Sequence, residues 1–104
     1  MVTPEAKADL RDIYRYFRER APWAATQWSA SARASIKTLS HLPERCPLAP
    51  ESAHFGVPIR QMFVGTGNRG TYRVLFVIMD KSVRILHVRH GSMLPMGPEE
   101  HGEQ

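Results

Sequence analysis

The stretch Tyr72–Gly91, Tyr-Arg-Val-Leu-Phe-Val-Ile-Met-Asp-Lys-Ser-Val-Arg-Ile-Leu-His-Val-Arg-His-Gly, leaves the chain few ways to fold. Val74 to Met79 is an unbroken apolar run rich in β-branched and aromatic side chains. Asp80-Lys81 interrupts it, and Val83 to Val88 resumes in a mostly apolar pattern. Two such runs across a short polar gap predict a β-hairpin. A run apolar at both parities needs cover on both faces, so Val74–Met79 reads as a central strand. With a two-residue turn, Met79 pairs with Ser82, Val77 with Arg84, Leu75 with Leu86 and Arg73 with Val88. Arg73, Arg84 and His90 then share a face with Leu75, Val77, Leu86 and Val88. Tyr72, Val74, Phe76, Ile78, Val83 and Ile85 share the other with His87 and Arg89, and this more apolar face should pack on helices. A one-residue change in turn length would exchange the two faces.

Upstream, Thr3-Pro4-Glu5 is a helix start: an N-cap, a proline at the first helical position and an acid at the positive end of the dipole. Ala6, Leu10, Ile13 and Phe17 recur at helical spacing to about Arg20, with charged residues between them. Ala21-Pro22 breaks that helix and Pro22 can open the next. There Ala25, Trp28, Ala32, Ile36 and Leu39 form a second stripe running to about His41. A short join predicts an antiparallel helical hairpin. From Leu42 to Pro58 the chain carries Pro43, Pro47, Pro50, Gly56 and Pro58, a long loop. Ile59–Val64 reads as a short strand, and Gly65–Gly70 as a turn into the hairpin. No helix and no Gly-Lys-Ser/Thr follow those glycines, which argues against a phosphate loop.

The order of helix, helix, loop and three strands gives an α+β class, with a helical hairpin packed on a small antiparallel sheet. A chain of 104 residues is one domain. Residues 1–92 are expected to form it, and 93–104, which lack periodicity, a flexible tail. The longest apolar run is far short of the roughly 20 residues a membrane span requires. No leader pattern opens the chain, and the lone Cys46 cannot form an internal disulfide. A cytoplasmic location is the expectation. Cys46, His54, His87 and His90 lack convincing ligand spacing, so no metal and no cofactor are expected. The net charge of +4 is unevenly spread. Residues 60–93 hold Arg60, Arg69, Arg73, Lys81, Arg84 and Arg89 against Asp80 alone, while the end of the chain holds Glu99, Glu100 and Glu103. A basic sheet implies an acidic partner, nucleic acid or protein.

Thr3-Pro-Glu-Ala-Lys-Ala-Asp-Leu10, Ile13-Tyr14, Pro22-Trp-Ala-Ala25, Ile59-Arg60, Tyr72-Arg-Val-Leu-Phe76 and Ile85-Leu-His-Val-Arg-His-Gly91 together resemble the ParE/RelE superfamily of toxins from type II toxin–antitoxin systems, over roughly residues 3–91. The resemblance implies a co-expressed antitoxin whose extended segment wraps the toxin, as a hetero-oligomer. Two features depart from the family pattern. Only Met1-Val2 precede Thr3 where members carry a full strand, so the first strand is expected to be short or missing, or the start truncated. Met93 stands where many ParE-like members have a basic residue.

The superfamily holds two activities. RelE-like members cut mRNA on the ribosome, which needs a cation at the phosphate and groups that move protons. Arg73 matches the strand arginine that serves as the cation, and His87 or His90 would move the proton. ParE-like members poison DNA gyrase by binding it, and the Val-Arg-His-Gly ending resembles them more. The leading expectation is therefore a ParE-like, plasmid-stabilisation-type toxin, a binding protein and not an enzyme, with ribosomal mRNA endonuclease as the alternative. Arg60, Arg73, Arg84, Arg89, Leu75 and Leu86 are the expected partner-binding residues. They are read as lining an open, cationic, half-apolar trough.

Overall fold

The computed structural model describes residues 1–65 and 71–91. The first helix, α1, spans Pro4–Arg20, and Thr3 caps it by accepting a hydrogen bond from the Ala6 amide at 3.2 Å. Its last turn closes where the Ala21 amide donates to the Phe17 carbonyl, because Pro22 has no amide to continue the ladder. Helix α2 then runs Pro22–Lys37 and tightens into a 3₁₀ turn at Thr38–Ser40, so it stops about a turn before the expected His41. Ala6, Ala24, Ala25 and Ala32 are all buried, which lets the two helices approach closely. Between helices and sheet, Trp28, Phe17 and Tyr72 pack as an aromatic cluster, with Trp28 and Tyr72 edge to face at 5.3 Å.

Strands β1 (Arg60–Val64), β2 (Tyr72–Met79) and β3 (Ser82–His90) form an antiparallel sheet in the order β1-β2-β3. The unbroken apolar strand is central, as its two-sided pattern requires, and Val74 and Phe76 are fully buried. Asp80 turns the hairpin with φ of +56°, a conformation aspartate tolerates better than most residues. Helices followed by a three-stranded antiparallel sheet is the α+β class expected. Met1–Thr3 supply a rudimentary further strand: the Ile85 amide donates to the Met1 carbonyl at 2.8 Å and the Thr3 amide to the Ile85 carbonyl at 3.1 Å.

Register departs from expectation halfway along the hairpin. Met79↔Ser82 and Val77↔Arg84 pair as predicted, but a bulge follows. Phe76 pairs with Ile85 and Leu75 with His87, leaving Leu86 extra. Beyond it the faces exchange, as a one-residue slip must cause. Val88 joins the helix-side core, and Tyr72 pairs with His90. Arg89 pairs with Arg73 instead of Val88 doing so. The bulge lies where both parities of β3 are apolar, so nothing in the local pattern resists it.

At the end of β3 the Gly91 amide donates to the Thr71 carbonyl at 2.6 Å, and a Cβ on Gly91 would lie 2.9 Å from that oxygen. Gly91→Ala is expected to destabilise the fold by about 1–3 kcal/mol through this overpacking. The check is a lower denaturant midpoint with an unchanged m-value.

Candidate functional site

The face of the sheet away from the helices is where the basic residues were expected to lie open. Its apolar half needs cover, and the proline-rich loop provides it. Residues 47–49 run beside β1, with the Gln61 amide donating to the Pro47 carbonyl and the Ala49 amide to the Ile59 carbonyl. The short helical turn α3 (Ser52–Phe55) then folds over the strands. Ala49, Ile59 and Leu75 form a second small core, backed by Phe55, Val77 and Leu86.

This loop carries Glu51 onto Arg73. The guanidinium donates from Nη1 to Glu51 Oε1 at 3.0 Å and from Nη2 to Oε2 at 2.7 Å, and Nη1 also reaches Gln61 Oε1 at 2.9 Å. Arg73 is 5% exposed and Glu51 1%. A two-pronged, fully desolvated pair of this kind holds both charges firmly, because either one alone would be stranded in low dielectric. The expected open trough around Arg73 is therefore corrected: its guanidinium is an internal tie between loop and sheet. Arg60 is likewise engaged, donating to the carbonyls of Glu44 and Cys46 at 3.2 and 2.6 Å. Leu75 is buried and Arg89 nearly so.

The histidines part company. His87 Nδ1 lies 3.0 Å from Asp9 Oδ2, and the same oxygen accepts the Val88 amide at 2.9 Å. A carboxylate can only accept here, so Nδ1 carries the proton. Asp9 thereby caps the outer edge of β3, which otherwise would present an unpaired amide. His90 packs edge to face on Tyr72 at 5.0 Å, beside a cleft lined by Asp12, Ile13 and Tyr16. Arg73, His87 and His90 thus each engage a different side chain: Glu51, Asp9 and Tyr72. Burial, and then the neighbouring Tyr16, push the Tyr72 hydroxyl above its ordinary 10.0. The folded state keeps this proton where the unfolded chain releases it. Stability is then full below about pH 10 and falls as pH rises through the folded value. Tyr72→Phe is expected to flatten that alkaline decline, as read by denaturation midpoints across the range.

Accessible on this face, among the described residues, is a cavity of about 220 Å³ under α3. Ile59, Leu75, Val77 and Leu86 line it, with Val57 and Met79 at the rim and Arg84 beside them. Of the expected partner-binding set, the structure brings Leu75, Leu86 and Arg84 together here. Among the described residues there is no group of three or more acidic, histidine or cysteine side chains arranged to hold a metal. No described helix is long and apolar enough to cross a membrane. Sequence reasoning missed Glu51 and Asp9 as anchors. Glu51 did leave a signal, since it is the sole acid between Glu44 and Asp80, in a stretch that includes Arg60 and Arg73. Asp9 left none among the other charges of its helix.

No curated protein matches the chain. Among solved structures, a chain from a chromosomal ParDE toxin–antitoxin system of P. aeruginosa is similar over 86% of this chain and 90% of its own, with a TM-score of 0.64 and 20% identity. At that identity the likeness speaks to the fold. The family model for the ParE toxin of type II toxin–antitoxin systems, parDE, matches residues 1–95. With nearly the whole chain matched, this protein belongs to the ParE toxin family of type II toxin–antitoxin systems.

Proposed function

We propose that this toxin arrests growth by binding DNA gyrase in the cytoplasm, and that a cognate antitoxin neutralises it in a hetero-oligomer. Family membership supports the toxin and its antitoxin. The observation that favours gyrase over the ribosome is the state of Arg73. A nuclease would need that guanidinium at the scissile phosphate, with a proton-transferring group close by. Here it is 5% exposed and bonded on both prongs to Glu51. Presenting it to RNA would mean lifting the 47–58 loop and stranding a buried carboxylate. His87 is held by Asp9, and His90 packs against Tyr72.

Expression in bacteria tests the proposal. Gyrase poisoning is expected to give filamentous cells and an SOS response, with protection by an altered gyrase. Arrest of translation within minutes, accompanied by cut mRNA, would assign the ribosome instead. The basic strand region also gives the antitoxin complex an expected salt signature. Added salt should slow association more than it speeds dissociation, because exposed charge acts mainly through steering. Association rates that ignore ionic strength would contradict this.

A further inference from the structure

Resting on the antitoxin reading above, we propose that the cavity beneath α3 receives one aliphatic side chain of the antitoxin, and that Arg84 at its mouth pairs with a carboxylate beside that side chain. The size comes first. At about 220 Å³ the space is smaller than the roughly 300–1,000 Å³ that encloses a small molecule or cofactor. It suits a side chain. The floor is apolar, with Leu75 2% and Ile59 4% exposed, while Val57 and Met79 stand half-exposed at the rim. A branched aliphatic group entering here would cover all four, gaining in proportion to the apolar area removed from water.

Charge fixes the chemistry of the neighbour. Glu51 lines the cavity, but both its oxygens are held by Arg73, and His87 faces the Asp9 carboxylate. Arg84 differs. It is exposed, and no carboxylate among the described residues lies within salt-bridge distance of it. Among the described residues the site therefore shows a positive charge with no carboxylate paired to it beside an apolar hole, which favours an acidic residue adjoining the buried one. The larger cleft of about 670 Å³ near Met1 is lined by acids as well as bases, Glu44 and Asp80 beside Lys37 and Lys81.

The test uses the whole toxin and the antitoxin encoded beside it, with affinity and rates measured on the purified pair. Arg84→Glu is expected to weaken binding by about tenfold or more, largely through slower association. Val57→Asp, which places a charge at the rim, is expected to raise the dissociation rate by about tenfold. Both positions are exposed, so the fold should persist, as circular dichroism will show. Lys81→Glu makes the same charge change away from the cavity and should alter affinity by less than about threefold. Wild-type binding that neither Arg84→Glu nor Val57→Asp weakens overturns the cavity assignment and leaves the antitoxin reading standing. Equal weakening by Lys81→Glu and Arg84→Glu also overturns it, in favour of diffuse charge attraction. A wild-type dimer that Val57→Asp dissociates, with antitoxin affinity unchanged, gives the cavity to a second copy. Failure of the wild type to bind antitoxin removes the reading on which the proposal rests, and the proposal with it.

Discussion

Glu51→Ala is expected to destabilise the fold by about 3–5 kcal/mol, because it leaves the Arg73 guanidinium buried and uncompensated. Among the described residues Arg73 would keep Gln61 as its partner, a neutral acceptor at 2.9 Å. For a domain of this size each kcal/mol lowers Tm by roughly 4–8 °C, so a drop of about 12 °C or more should appear in a thermal melt. The double variant Glu51→Leu/Arg73→Met is expected to recover most of that loss, since both charges and their desolvation disappear together. If Glu51→Ala melts like the wild type, the pair does not hold the loop. The same variant also probes function. Were Arg73 a catalytic cation held in check, releasing it should bring mRNA cleavage, whereas none is expected.

Phe76→Ala is expected to cost a comparable amount, about 3–5 kcal/mol, for a different reason. Phe76 is fully buried at the centre of β2, opposite Ile85 and beside the bulge. Its removal leaves a void between sheet and helices that neither the fixed β3 register nor the alanine-faced helical hairpin can close. The loss should be cooperative and should not depend on pH or salt, unlike that of a charge variant. Phe76→Leu, which restores most of the volume, is expected to recover over half of the stability. A Phe76→Ala protein with wild-type midpoint would mean that the core between the layers is loosely packed.

The elements were legible because each carries a local signal. Thr3-Pro4-Glu5 announces a capped helix and Ala21-Pro22 a break. The two-sided apolar run of β2 demands a central position. All three signals are satisfied in the structure. Loss of legibility begins at Leu86. The bulge there changes the facing of every residue after it, yet Ile85, Leu86 and Val88 are all apolar and tolerate either face. Arg73 was correctly placed on the face away from the helices and wrongly taken as open. Its burial depends on a contact 22 residues away in sequence, made by a loop without periodicity. Long-range ion pairs of this sort leave a trace only in charge counts, here a single acid amid a basic stretch. Resemblance located the family, while the site needed the loop's path in three dimensions.

On the proposed reading the toxin acts by binding gyrase, with its strand arginine locked inside the fold. The most direct measurement adds the purified protein to gyrase with plasmid DNA and, in parallel, to ribosomes programmed with mRNA. Trapped gyrase–DNA cleavage complexes with intact message are the expected result. Cut message on the ribosome, with gyrase unaffected and cleavage abolished by Arg73→Met in a protein that still folds, would contradict it.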